Sequence, residues 1–81
     1  MYTKEAIHKQ LQDIMHELFE IDRELITLNA SLEELDIDSI DAVDMMVKLK
    51  EYTQKRMAPE DFKHVRTVGD IVDAVHELVG G

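Results

Sequence analysis

The sequence predicts an all-α fold, a small antiparallel bundle of three main helices plus one short helix, with a long loop between helices 1 and 2. Three stretches of the chain carry apolar residues at spacings of three and four, the period of one helix face. No stretch shows the strict alternation that is typical of a strand. A chain of 81 residues is long enough for one small core. We therefore expect residues 1–81 to form a single domain.

The first predicted helix runs from Thr3 to about Phe19. Thr3 is the expected N-cap, and Glu5 in the first turn favours the helix dipole. The apolar stripe consists of Ile7, Leu11, Ile14, Met15 and Leu18. From residue 21 to 37 the helical period is lost, and residues 29–31 supply turn chemistry. We expect a long loop that is pinned to the core, and loops of this length in so small a domain are often functional.

The second predicted helix begins within the sequence LDIDSID. Asp38 is the expected N-cap, and Asp41 three residues later is its reciprocal partner. Ser39 is thereby placed at the first helical position. The helix is expected to end at about residues 52–55.

Two further helices are predicted after residue 57. Pro59, followed by two acids, indicates a short helix to about His64, because proline and acidic residues both favour a first turn. Thr67 with Asp70 repeats the cap pattern and opens the last helix, which we expect the glycine pair 80–81 to end. The apolar residues of the last helix are Val68, Ile71, Val72, Val75, Leu78 and Val79.

The second helix has more apolar residues than one core-facing stripe requires. The set expected to face the core is Ala42, Met45, Met46 and Leu49. A second line is then formed by Ile40, Val43 and Val47, and its flanks carry Asp41, Asp44 and Glu51. We expect an exposed apolar strip edged with acid, which suits a partner surface rimmed by arginine or lysine. The alternative is a helix buried on two sides.

The charge and the cysteine content exclude several classes of function. The net charge of −9 would repel the phosphates of nucleic acids and the headgroups of anionic membranes. With no cysteine, neither a disulfide framework nor a cysteine-based zinc site is available. The N-terminal stretch carries charges throughout and has neither a signal-peptide run nor a membrane-length apolar run. We expect a cytoplasmic protein.

Nothing in the sequence indicates an enzyme or a metal protein. The stretches after His16 and His76 begin like a zinc-binding HExxH helix but lack the second histidine, so we predict solvated surface histidines and no metal site. The paired acids would need a buried cleft to act in acid–base catalysis, which favours a solvated acidic face. Ser39 has no Ser-His-Asp signature around it and is not predicted to be a nucleophile.

The stretch Asp38-Ser39-Ile40, the acid-edged helix that follows, and VRTVGD at residues 65–70 resemble the acyl carrier proteins. This family of phosphopantetheine-binding carriers also includes peptidyl and aminoacyl carriers, and the resemblance covers nearly the whole chain. It implies that Ser39 carries 4′-phosphopantetheine, attached from coenzyme A by a phosphopantetheinyl transferase. The terminal thiol of that arm would hold acyl groups as thioesters for a bacterial fatty-acid-like or polyketide-like biosynthetic pathway.

The resemblance also implies which residues meet partners. Asp38, Asp41 and Asp44 match the family's acidic contacts, and Ile40, Val43 and Val47 match its apolar recognition positions. The expected partners are the transferase and acyl-loading, ketosynthase-type and acyltransferase-type enzymes with basic docking surfaces. A carrier of this kind is a substrate of other enzymes and is not itself catalytic. We expect a monomer.

The sequence departs from the family's fatty-acid members at three places, which favours a specialised pathway. Asp36 stands where those members usually have glycine. Lys48 and Lys50 lie on the second helix, which is more uniformly acidic in those members. Before the short helix, Met57-Ala58-Pro59 replaces the usual Ile-Pro. Two alternatives remain open. One is an aminoacyl or peptidyl carrier with the same arm, and the other is an acidic helical adaptor that has no prosthetic group and uses only the apolar strip.

Overall fold

The computed structural model describes residues 2–57 and 59–80, except for the side chains of Pro59 and Asp61. It contains three α-helices in this order: α1 (Lys4–Phe19), α2 (Ser39–Thr53) and α3 (Val68–Leu78). A 3-10 helix lies in the connection between α1 and α2 (Arg23–Leu25), and another precedes α3 (Pro59–Phe62). Helix α1 packs against both α2 and α3. The predicted all-α bundle is therefore confirmed.

The core is built from the stripes that the apolar spacing predicts. Helix α1 buries Ile7, Leu11, Ile14 and Met15, while Leu18 is half-buried. Helix α3 buries Val68, Ile71, Val72 and Val75. Met45 and Leu49 of α2 are fully buried, whereas Ala42 and Met46 of the same predicted set are half-buried. The long connection adds Ile26, Ala30 and Ile37. The connection between α1 and α2 therefore packs against the core, as expected.

The predicted caps of the first and last helices are present. The Thr3 hydroxyl accepts a hydrogen bond from the amide of Ala6 at 3.1 Å. At α3, the Thr67 hydroxyl accepts from the amide of Asp70, and the Asp70 carboxylate accepts from the amide of Thr67. Each cap satisfies backbone donors that have no partner inside the helix. Local sequence therefore fixes where both helices begin.

The structure adds detail to the predicted long loop, and one predicted helix boundary is wrong. The predicted long loop at residues 21–37, called the connection below, contains the 3-10 helix Arg23–Leu25 and an isolated antiparallel bridge between Ser31 and Thr67. The predicted short helix ends earlier than His64, as a 3-10 helix over Pro59–Phe62. Helix α3 ends at Leu78 with Val79 as its C-cap, and Gly80 follows with a positive φ of 76°, the conformation that glycine typically adopts just after a helix, so the predicted end is confirmed. Ala58 and Gly81, named in the predictions, lie outside the described residues.

The prediction of solvated surface histidines is wrong for His8, whereas His16 is exposed as predicted. His8 is half-buried, and its Nε2 donates a hydrogen bond to the carbonyl of Ile26 at 2.7 Å. The Nδ1 of His16 donates to the carbonyl of Ile21 at 3.0 Å. Both histidines therefore fasten the long connection to α1. The spacing of the histidines in the sequence could not show this, because both acceptors belong to the connection.

A close backbone contact joins the connection to the start of α3. The amide of Val68 donates to the carbonyl of Ala30 at 3.0 Å, and the amide of Gly69 donates to the carbonyl of Leu28 at 2.9 Å. A Cβ atom at Gly69 would lie 3.0 Å from the oxygen of Leu28. Only glycine permits this approach without displacement of the connection. The first amides of α3 are thus paired with carbonyls about forty residues earlier in the chain.

The cap of α3 predicts a stability difference at low pH. Hydrogen bonds from the amides of Arg66 and Thr67 lower the pKa of the Asp70 carboxyl below its ordinary value of 3.8. A depressed folded-state pKa means that the contribution of Asp70 is present above pH 3.8 and is lost as the pH falls through the folded-state pKa. We expect Asp70→Asn to lower the free energy of unfolding at neutral pH, and this difference to shrink below pH 3.8.

Urea unfolding of both chains at several pH values measures this effect. Asp73→Asn is the matched control, because it removes a carboxylate from the same helix but breaks only an exposed ion pair with Lys4. The control should change stability little at either pH. A difference for Asp70→Asn that stays constant across the acid range would contradict the role given to its charge.

Candidate functional site

The first turn of α2 is held by a reciprocal cap. The Asp38 carboxylate oxygen Oδ1 accepts hydrogen bonds from the amides of Ile40 at 3.0 Å and Asp41 at 2.9 Å. The Asp41 carboxylate accepts a longer bond, of 3.4 Å, from the amide of Asp38. This is the predicted arrangement. It leaves Ser39 as the first helical residue, with an exposed side chain.

The cap changes the electrostatics expected for an anion at Ser39. The positive end of a helix dipole attracts anions mainly through its free amide groups. Here the Asp38 carboxylate already occupies two of those amides and adds a negative charge beside them. An anionic group on Ser39 would therefore depend on cations from outside α2. Lys63 and Arg66, which line a groove together with Ser39, are cations of this kind within the chain.

An open groove with a volume of about 850 Å³ lies beside Ser39 and is lined in part by Ser39 itself. Three segments supply its apolar lining, namely Ile37 from the connection, Val43 and Met46 from α2, and Phe62 and Val65 from the stretch before α3. The charged lining consists of Glu33, Asp38, Glu60, Lys63 and Arg66. The sequence did not predict that residues from the stretch 60–66 line a groove together with α2, because the two segments come together only in the folded chain.

The strip predicted on α2 is exposed. Ile40, Val43 and Val47 are 74%, 56% and 55% accessible, so the alternative of a helix buried on two sides is wrong for these positions. Asp44 and Glu51 beside them are exposed, and Asp41 is half-buried. The structure therefore brings Ser39, Asp38, Asp41, Asp44 and the apolar strip onto one end and one face of α2. Whether partners contact these residues stays a prediction.

Neither the other serine nor the histidine and acidic side chains of the described residues form a second candidate site. Ser31, the other serine of the chain, is half-buried, and its hydroxyl accepts a hydrogen bond from the amide of Glu34 at 3.0 Å. Within residues 2–57 and 59–80, no group of three or more histidine, aspartate and glutamate side chains is arranged to hold a metal ion.

No helix of the described residues is long and apolar enough to cross a membrane.

Comparison with known proteins assigns the family. The family model "Phosphopantetheine attachment site" matches residues 9–75. "Acyl carrier protein 2" of Ralstonia nicotianae is 50% identical over 78 residues, which cover 95% of this chain and 96% of that protein. An acyl carrier protein of Lactobacillus acidophilus is 30% identical over 96% of this chain and 99% of its own length.

A crystal structure of an acyl carrier protein from Thermotoga maritima has the same fold, with a TM-score of 0.84. The match covers 95% of this chain and 91% of that one, at 23% sequence identity. These findings confirm the resemblance and the predicted prosthetic group. The exposed serine beside an open, largely apolar groove is compatible with a long covalent arm. The chain therefore belongs to the acyl carrier proteins, the carriers with a phosphopantetheine attachment site.

Proposed function

We propose that Ser39 carries the 4′-phosphopantetheine arm and that the chain presents acyl thioesters to enzymes of a bacterial fatty-acid-like or polyketide-like biosynthetic pathway. The observation that carries the proposal is the placement of Ser39. It is exposed at the first position of α2, it lies within the matched region 9–75, and it borders the groove. A transferase can reach this hydroxyl without unfolding the helix.

The other serine is a poorer acceptor. The chain has two serines, and both line the groove. The Ser31 hydroxyl is held by the amide of Glu34 and lies in a turn of the connection, where it is half-buried. Ser39 instead stands at the end of a helix whose cap is made by the Asp38 and Asp41 carboxylates, without its own hydroxyl. Modification of Ser39 therefore disturbs no hydrogen bond of the cap.

The arm supplies a terminal thiol, which forms the thioester with an acyl group. No cysteine competes with that thiol, because the chain has none. The apolar lining from Ile37, Val43 and Met46 begins directly beside Ser39. This lining can shield from water the part of the arm or acyl group nearest the attachment point, because removing apolar groups from water is favourable.

The proposed partners are a phosphopantetheinyl transferase and the acyl-loading, ketosynthase-type and acyltransferase-type enzymes of the pathway. The net charge of −9 and the carboxylates at the start of α2 favour enzymes with basic docking surfaces, by steering their approach. The identity of 50% to an acyl carrier protein favours acyl cargo over aminoacyl or peptidyl cargo. The hypothesis of an adaptor without an arm has no support from this family.

Mass spectrometry tests the proposal. The folded chain is incubated with coenzyme A, magnesium and a broad-specificity transferase, and its intact mass should rise by one phosphopantetheinyl group. Trypsin leaves both serines in one peptide, residues 24–48, so fragmentation of that peptide is needed to locate the group. We expect it on Ser39. Attachment to Ser31, or no attachment to folded protein with several transferases, would refute the assignment.

A further inference from the structure

The charges along α2 and its flanks are segregated. Between residues 33 and 44 there are six acidic side chains and no basic one. Between residues 48 and 56 there are four basic side chains and one acidic one. The basic residues are Lys48, Lys50, Lys55 and Arg56. The start of α2 and the residues before it are therefore strongly acidic, and its end together with the residues just after it is basic, although the chain as a whole is acidic.

Lys50 lies in line with the apolar strip. Positions 40, 43, 47 and 50 follow one another at spacings of three and four, which places them on one side of a helix. Lys50 is exposed. Among the described side chains, none of the four ion pairs involves Lys50. The strip thus ends in a cation that is available for contact.

Lys48 is different, although it lies only two residues away. Its Nζ lies 3.8 Å from the Glu51 carboxylate and 4.0 Å from the Glu17 carboxylate. Its charge is therefore partly satisfied within the chain. Within the part of the chain that the structure describes, Lys50 is the lysine of α2 that has no internal ion pair, so a partner can engage its charge directly.

We propose that the exposed face of α2 is a bipolar docking surface. Its partner is a protein with basic residues opposite the acids around Asp38 and Asp44 and an acidic residue opposite Lys50. At 1.5 Å per residue, Ser39 and Lys50 are separated by about 16 Å along the helix axis. A partner with this charge pattern meets favourable pairs at both ends in one orientation, while a uniformly basic surface meets repulsion at Lys50.

A second copy of this chain does not fit this description. Two copies that each carry a net charge of −9 repel one another. Even in the antiparallel arrangement, which sets the acidic stretch of each copy against the basic end of the other, six acids face a net charge of +3, so the interface keeps an excess of negative charge. A different protein with both signs of charge is therefore the occupant. The inference rests on the proposed function, because it describes the partners that would meet the carrier at α2.

Two synthetic amphipathic helices serve as probes, so that the test needs no pathway enzyme. Both peptides carry the same leucine stripe. The bipolar peptide has arginines at one end and glutamates at the other, and the uniform peptide has arginines at both ends. Each is titrated into the unmodified, isotope-labelled chain, and binding is followed by the amide resonances of Ile40, Val43 and Val47. Unmodified protein keeps the outcome independent of whether Ser39 carries the arm.

Lys50→Glu is compared with Lys9→Glu, which makes the same change in net charge at an exposed position of α1. Relative to this control, Lys50→Glu should weaken binding of the bipolar peptide by about three- to fivefold and strengthen binding of the uniform peptide. Equal effects of the two substitutions on both peptides would overturn the proposal. So would binding that leaves the strip resonances unshifted, or no saturable binding of the bipolar peptide. Dispersed spectra of each variant establish that it is folded.

Discussion

The Ser39→Ala chain is expected to fold normally and to gain no phosphopantetheinyl group. Ser39 is exposed at the first position of α2, and alanine is a good helix former, so the free energy of unfolding should change by less than about 0.5 kcal/mol. The cap is unaffected, because the Asp38 and Asp41 carboxylates make it. Loss of the arm with unchanged stability would assign the attachment chemistry to this hydroxyl.

Ser31→Ala is the matched control, since it removes the chain's other serine from the same groove. It should gain the arm as the unsubstituted chain does. It should also be less stable, by about 0.5–1.5 kcal/mol, because the amide of Glu34 loses its hydrogen-bond acceptor. Intact mass and urea unfolding measure the two effects separately. A Ser39→Ala chain that still gains a phosphopantetheinyl group would contradict the proposed site, whatever its free energy of unfolding.

Gly69→Val is expected to produce a large loss of stability, about 2–4 kcal/mol. A Cβ atom at this position would lie 3.0 Å from a backbone oxygen, that of Leu28, which cannot rotate away as a flexible side chain would. The connection must move outward, and the hydrogen bonds of Val68 and Gly69 to its carbonyls lengthen or break. The gain in helix propensity over glycine is smaller for valine than for alanine and does not offset this.

Glu77→Val measures the cost of a valine in α3 alone, since Glu77 is exposed in the same helix. Urea unfolding of both variants should show a much lower midpoint for Gly69→Val. If both variants lower the free energy of unfolding equally, the close approach of the Leu28 oxygen to Gly69 contributes nothing to the loss, and the prediction is wrong. Gly69→Ala should fall between the unsubstituted chain and Gly69→Val, because alanine brings the same Cβ contact but a higher helix propensity.

The parts of this structure that could be predicted are those encoded by neighbouring residues. Apolar spacing located all three α-helices, and the pairs Asp38 with Asp41 and Thr67 with Asp70 located the starts of two of them. The two apolar lines on α2 followed from the same periodicity, but only the folded structure, in which Ile40, Val43 and Val47 are exposed, excludes a helix buried on two sides at these positions. The candidate attachment serine came from a short motif and from the family resemblance.

The parts that could not be predicted depend on residues far apart in the chain. The contact of Gly69 with Leu28 joins α3 to the connection, and the bond from His8 to Ile26 joins α1 to it. Neither pairing leaves a periodic signal in the sequence. The groove beside Ser39 is of the same kind, since its wall at Phe62 comes from a segment with a weak helical pattern. Asp36 adopts a left-handed φ of 57°, the conformation that favours glycine, which is the residue usual at this position in the family's fatty-acid members.

The pairing of the first amides of α3 with the connection makes them reporters of its motion. A backbone amide exchanges its hydrogen with solvent only when its hydrogen bond opens. Most amides of a helix open when that helix frays or unfolds. The amides of Val68 and Gly69 are bonded to the carbonyls of Ala30 and Leu28 and therefore open when the connection lifts away, even while α3 stays helical. Their exchange rates give the free energy of that local opening, and a comparison with and without cargo would show whether loading the carrier changes it.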